Sequence, residues 1–249
     1  HGYSDYLEFV KLAVSKGLYD KVLLDYYTED EISQAGKLIQ ADYDMQFDYA
    51  GIHMIMNRYL IQDRRKPFEL PQEMFLTIAL FLASPEKKED RMAVVEKFYH
   101  QIAGRKISLA TPILINLRVP GGNLSSCFIT AVDDSLDNIF YNISAIAQIS
   151  KNGGGVGVNL SRIRSSGGEI RSVPNASGGV IPWIKIVNDT AVAVNQLGKR
   201  SGAVTVALDV WHRDIEDFLE MQTENGDQRK KAYDLFPQIV IPDLFMERV

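Results

Sequence analysis

The sequence of 249 residues has one cysteine, Cys127, and four histidines, and this scarcity excludes several chemistries before any motif is read. A single thiol cannot close an internal disulfide or build a multi-cysteine metal site within this chain, which fits a reducing compartment and hence the cytoplasm. Beyond His1, the histidines are His53 and His100 in helical stretches and His212 in "VWHRD", and no pair has the i, i+4 spacing of a helical zinc site. His212 reads as structural, an isolated imidazole that finds a backbone partner. Long apolar runs are missing too. Nothing approaches the roughly 18 residues that suggest a membrane span. The opening "HGYSDYLEFV" carries neither a signal-peptide core nor an initiator Met, and reads as an excised piece with a tag remnant at His1 and Gly2. Positive charge is not in excess: 27 Lys and Arg face 32 Asp and Glu, giving a net charge of −5. The basic residues are dispersed, which excludes the footprint of a nucleic-acid binder.

What is present is ample apolar material, 46% of residues, enough to bury a sizeable core in one large domain or two small ones. The chain has two textures. Residues 1–105 read as helical. "YLEFVKLAVSKG" stops at a glycine, "TEDEISQAGKLI" opens with a capping box of Thr28 and Glu31, and "PQEMFLTIALFLASP" is bracketed by Pro71 and Pro85. From residue 106 to 249 strands and helices alternate. "KISLATPILINL", "SSCFITAV", "GVGVNL" and "AVTVAL" read as strands, and Leu136, Ile139, Phe140, Ile143, Ile146 and Ile149 mark one face of a helix over 135–151, with Asp134 as its expected cap. Such alternation favours an α/β unit with a mainly parallel sheet.

Gly153, Gly154 and Gly155 follow that helix directly, in "NGGGVGVNLSRIR". Helix, glycines, strand is the reverse of the order in a phosphate-cradling dinucleotide loop, so a Rossmann reading fails, and the P-loop lysine is missing as well. One glycine suffices to end a helix. Three suggest that a ligand or a second backbone lies flush against the chain. Arg162, Arg164 and Arg171, then "PNASGG" and "QLGKRSGA", give glycine-bearing loops with cationic side chains, suited to an anionic small molecule. The plainer readings are a helix cap followed by a tight turn, arginines on an exposed strand end, and a cysteine buried as a small hydrophobe.

"ATPILINLR", "NLSSCFITAVDDSLDNIF", "GGGVGVNLSRIRSSGGEIR", "NQLGKRSGAVTVALDVWHRDIEDFLE" and "DMQFDYAGIHMIMNRYLI" together resemble the large (α) subunit of ribonucleotide reductase, most closely the class I type, in consistent order over nearly the whole chain. The resemblance implies a mixed α/β protein: an N-terminal helical region, 1–105, then 106–249 as the first part of a ten-stranded α/β barrel with both specificity loops. It implies that Cys127 is one of two redox-active thiols, and that Thr111, Ser126, Gly154 and Gly155 line the site of a nucleoside diphosphate. Asp134, Ser135 and Leu136 would meet the sugar of a deoxynucleoside triphosphate effector whose phosphates Arg164 and Arg171 hold. Gln196, Lys199 and Arg200 of a second specificity loop would reach from effector to substrate base.

The family further implies a homodimer, with Phe140 and Tyr141 as contact candidates, and dNTP or ATP effectors. A small metal-containing, radical-generating subunit and an external dithiol reductant of the thioredoxin or glutaredoxin type complete the expected partners. No cofactor is expected in the chain itself. The radical cysteine, the second redox cysteine and an ATP-cone domain are not among these residues, so the chain alone is expected to be inactive. The alternative is a noncatalytic nucleotide-sensing and dimerisation module.

Overall fold

A computed structural model describes residues 3, 5–194 and 203–249 of the chain. Two compact units form, His1–Ser125 and Ser126–Val249. The division falls after the change of sequence texture at residue 105 because Leu109, Ile113, Leu114, Leu117 and Val119 pack into the core of the first unit.

The first unit is helical: α1 (Tyr6–Ser15), α2 (Val22–Tyr26), α3 (Glu29–Gly36), α4 (Tyr49–Met54), α5 (Pro71–Ala83), α6 (Lys88–Ala103) and α7 (Thr111–Asn116). A two-residue hairpin, β1 (Gln62–Asp63) with β2 (Lys66–Pro67), interrupts the series. Thr28 caps α3 by accepting from the Glu31 amide while Glu31 reaches back to the Thr28 amide, the reciprocal box its spacing predicts. Apolar on nearly every side, α5 is buried from Pro71 through Leu80.

Residues 111–116, expected as part of a strand, form α7 instead. Pro112 sits in the first turn, where its missing N–H costs nothing, and the partial burial of Ile113 and Leu114 against the helical core overrides the β preference of Ile113. Just beyond α7, Arg118 is fully buried against the equally buried Glu69. Its guanidinium also donates to the carbonyls of Leu114 (2.5 Å) and Tyr59 (3.0 Å), and Glu69 accepts from the Tyr19 hydroxyl (2.5 Å) and the Ile61 amide (2.6 Å). Every partner of this pair is supplied from within the unit, the condition under which a buried charge pair is tolerated. The Tyr59 carbonyl ends the π-helical turn Ile55–Tyr59 that continues α4.

The second unit is a parallel sheet in sequential order, β3 (Cys127–Ala131), β4 (Gly155–Asn159), β5 (Val204–Asp209) and β6 (Phe236–Val240). Helix α8 (Leu136–Lys151) connects β3 to β4, α9 (Ile181–Val194) precedes β5, α10 (Ile215–Glu220) precedes β6, and α11 (Asp243–Arg248) follows it. Side chains alternate across the strands. Val156, Val158, Val204, Val206 and Leu208 are buried in one core with Ile139 and Ile146 of α8 and Ile181, Ile184 and Val187 of α9. The opposite face carries Cys127, Ile129, Gly155 and Gly157, and Ile129 is 91% exposed there. Of the six residues expected to form the apolar face of α8, Leu136 and Phe140 remain exposed. No helix among the described residues is long and apolar enough to cross a membrane.

Candidate functional site

The site is built on the first parallel pair of the second unit. Cys127 and Gly155 are register partners at the leading ends of β3 and β4, and the Gly155 amide donates to the Ser126 carbonyl at 2.8 Å. The sulfur of Cys127 is exposed and accepts from the Ser126 hydroxyl at 3.4 Å. An exposed thiol with a hydroxyl donor on the sulfur thus stands beside a strand residue that has no side chain.

The three glycines have three different causes. Gly153, at φ +75°, is the left-handed residue that closes α8, its amide donating to the Ser150 carbonyl (2.9 Å) while the Gly154 amide donates to that of Ile149 (3.0 Å). Gly154 is buried, and a Cβ there would stand 2.5 Å from Ile149 Cγ2 and 3.0 Å from Phe128 Cε2, so the protein's own packing excludes a side chain. At Gly155 the nearest atoms to an added Cβ are the carbonyl oxygens of Ser126 at 3.5 Å and Ala203 at 3.8 Å, so the fold itself has room for one. Nothing in the chain's own packing requires a glycine at position 155. Thr111 belongs to the first unit, as the first residue of α7.

A second cluster gathers where β3 ends and α8 begins. The expected cap, Asp134, is not the cap. Ser135 holds the extended cap conformation, and its hydroxyl accepts from the Asn138 amide at 3.3 Å. Asp134 is drawn away to Arg164, whose Nε donates to Asp134 Oδ2 at 2.6 Å and whose Nη1 donates to the Glu169 carbonyl at 2.6 Å. Beside it Arg162 pairs with Asp133 at 2.7 Å, a carboxylate that sequence reasoning missed. Leu136 lies next to the cap and is 61% exposed.

Arg171 stands at the tip of a hairpin-like arm over residues 166–178. The arm is closed by bridges between Ser166 and Gly178 and between Ile170 and Val173, with Arg171 and Ser172 both at positive φ. Two successive left-handed residues are the pattern of a type I′ turn, which glycine or asparagine usually provides. The structure thus brings together Cys127, Ser126, Gly154 and Gly155 in one place and Asp134, Ser135, Leu136 and Arg164 in another. Gln196, Lys199 and Arg200 lie outside the described residues. His212 has the backbone partner expected of it, with Nε2 2.8 Å from the Ile163 carbonyl.

Comparison with known proteins gives these clusters a context. The family model described as the ribonucleotide reductase all-alpha domain matches residues 45–122, and that described as its barrel domain matches residues 125–249. The ribonucleoside-diphosphate reductase subunit alpha of Synechocystis sp. is 58% identical over 247 residues, 99% of this chain and 31% of that protein. The subunit alpha of Treponema pallidum is 47% identical over 94% of this chain and 28% of its own length, and the large subunit of Arabidopsis thaliana is 37% identical over 94% and 29%. The chain thus spans less than a third of the length of these curated relatives. By both matched domains, it belongs to the ribonucleotide reductase large-subunit family.

Proposed function

We propose that this chain is the part of a ribonucleoside-diphosphate reductase catalytic subunit that carries one redox thiol and the effector site that selects the substrate. The observation that carries the reading is the pairing of exposed Cys127 with Gly155 across two parallel strands, a thiol beside bare main chain. Replacing a ribose 2′-hydroxyl by hydrogen releases water and takes up two electrons. A dithiol supplies both electrons and both protons, one for the leaving hydroxyl and one for the new C2′–H bond, as it closes to a disulfide. Cys127 is one of those thiols, and the second lies on another part of the polypeptide. An external dithiol of the thioredoxin or glutaredoxin type then reopens the disulfide. The radical generator, a metal-containing small subunit, supplies the one-electron oxidation that starts the cycle.

The residues of this chain bind and orient. Ser126 holds the sulfur, and Gly155 leaves space for the sugar of a nucleoside diphosphate. Asp134, Ser135 and Leu136 receive the sugar of a deoxynucleoside triphosphate, Arg164 and Arg171 its phosphates, and ATP competes for the same chemistry. Gln196, Lys199 and Arg200 relay the effector's identity to the substrate base. The exposed Leu136, Phe140 and Tyr141 on α8 suit a homodimer contact. The setting is the cytoplasm. The test is Cys127→Ser in the full-length subunit: repeated turnover should vanish while deoxynucleoside triphosphate binding persists, and full turnover would refute the redox role.

A further inference from the structure

The arm that carries Arg171 is gripped at both of its ends by two residues that belong to neither cluster. Asp214, 6% exposed, accepts the Ser166 amide at 2.9 Å on Oδ1 and the Val180 amide at 2.9 Å on Oδ2. Ser166 opens the arm and Val180 lies just past its close, so one carboxylate ties the two legs together. His212 holds the segment leading into it. The Asp214 amide donates to His212 Nδ1 at 3.1 Å, so Nε2 carries the hydrogen and donates it to the Ile163 carbonyl, one residue before Arg164. Gly179 completes the fit. At φ +78° it turns the chain over the carboxylate, and a Cβ there would collide with Asp214 Oδ2 and stand 2.7 Å from the Ser166 amide.

We infer that His212 and Asp214 are positioning residues for effector binding, a clamp that fixes both legs of the arm and thereby where Arg164 and Arg171 point. The inference rests on the effector reading proposed above. Neither side chain needs to touch the nucleotide. A buried carboxylate that accepts amides from both legs holds their spacing, whereas the arm's own bonds, Gly167 amide to Ser177 carbonyl and Ser177 amide to Gly168 carbonyl, both 3.0 Å, hold only its interior. Released at its base, the arm would keep its hairpin but lose its direction, and with it the placing of Arg171 relative to Arg164.

The test uses the full-length subunit with Asp214→Asn, His212→Ala and His212→Gln, alongside Arg164→Ala. Asparagine keeps one acceptor but turns an N–H₂ toward a backbone amide. Alanine removes the hold on Ile163, and glutamine restores a donor near the Nε2 position. Amide hydrogen exchange at Ser166 and Val180 should quicken in Asp214→Asn. The effector concentration for half-maximal stimulation should rise about tenfold in Asp214→Asn and His212→Ala, the worth of one charge-assisted or buried hydrogen bond, and fall back toward wild type in His212→Gln. Wild-type effector response in both clamp variants, with a weakened response in Arg164→Ala, overturns the clamp and leaves the effector site standing. Wild-type response in Arg164→Ala overturns the effector reading, and the clamp's role with it. Should Asp214→Asn fail to fold, the His212 pair decides, since a purely structural histidine would not move the effector response and regain it with glutamine.

Discussion

Arg164 and Asp134, residues 30 apart in sequence, are joined by a 2.6 Å bond from Nε to Oδ2 at the rim of the proposed effector site. Both were expected to face the nucleotide, one at the phosphates and the other at the sugar. Each serves as the other's counter-ion. On the proposed effector reading, a triphosphate competes with Asp134 for the guanidinium, which has further donors in its planar fork to share.

Arg164→Ala should separate binding from stability. The pair is partly exposed, with side-chain exposures of 39% and 29%, and such pairs contribute roughly 0–1 kcal/mol to folding. Deoxynucleoside triphosphate affinity, measured calorimetrically, should fall about tenfold or more as a charge-assisted contact is lost, while the thermal midpoint barely moves. Unchanged affinity would remove Arg164 from the site.

The adjacent glycines should respond differently to the same substitution. Gly154→Ala forces a Cβ against Ile149 and Phe128 and should cost about 1–3 kcal/mol of stability. Gly155→Ala meets nothing nearer than 3.5 Å and should fold normally, yet should impair turnover in the full-length subunit by filling the space beside Cys127. Denaturation midpoints paired with activity measure both; a Gly155→Ala subunit that folds and turns over normally would argue against a substrate there.

The contrast shows what was legible in the sequence. The run of three glycines signalled close approach, but the sequence could not say that Gly154 is crowded by the chain itself while Gly155 has room for a side chain. The Thr28 and Glu31 box, the prolines around α5 and the alternation in β3, β4 and β5 were readable because their causes are local. Helix α7 was misread because its β-branched residues are recruited by a distant core, and Asp134 was misread as a cap because its partner Arg164 is remote. The Asp214 clamp had no local signal, since its bond to Ser166 spans 48 positions.

Burial sets a pH dependence in the helical unit. Desolvation, opposed by the Leu70 amide and assisted by nearby Glu69, pushes the Glu73 carboxyl up from 4.5 to about 7. Because the folded-state value lies above the unfolded one, the folded chain binds the extra proton, and stability should decline as pH rises from about 4.5 to about 7. Glu73→Gln keeps an acceptor for the Leu70 amide and removes the charge. Its thermal midpoint should exceed that of the wild type at pH 8 and match it near pH 4.5; parallel pH profiles would show that Glu73 is not the source.

Arg118→Met should be among the most damaging single changes in the first unit. It leaves Glu69 fully buried with its charge uncompensated, at a cost of about 3–5 kcal/mol in denaturant titration. A loss below 1 kcal/mol would mean that Glu69 takes up a proton or reaches water.

The most direct test of the whole account follows the sulfur itself. The full-length subunit, pre-reduced and freed of external dithiol, is given its radical-generating partner, effector and substrate, then alkylated and mapped by mass spectrometry. Cys127 should be recovered in a disulfide with a second cysteine of the same polypeptide, in proportion to the deoxynucleotide formed. Product formation with Cys127 still free to alkylate would contradict the assignment of this thiol to the chemistry.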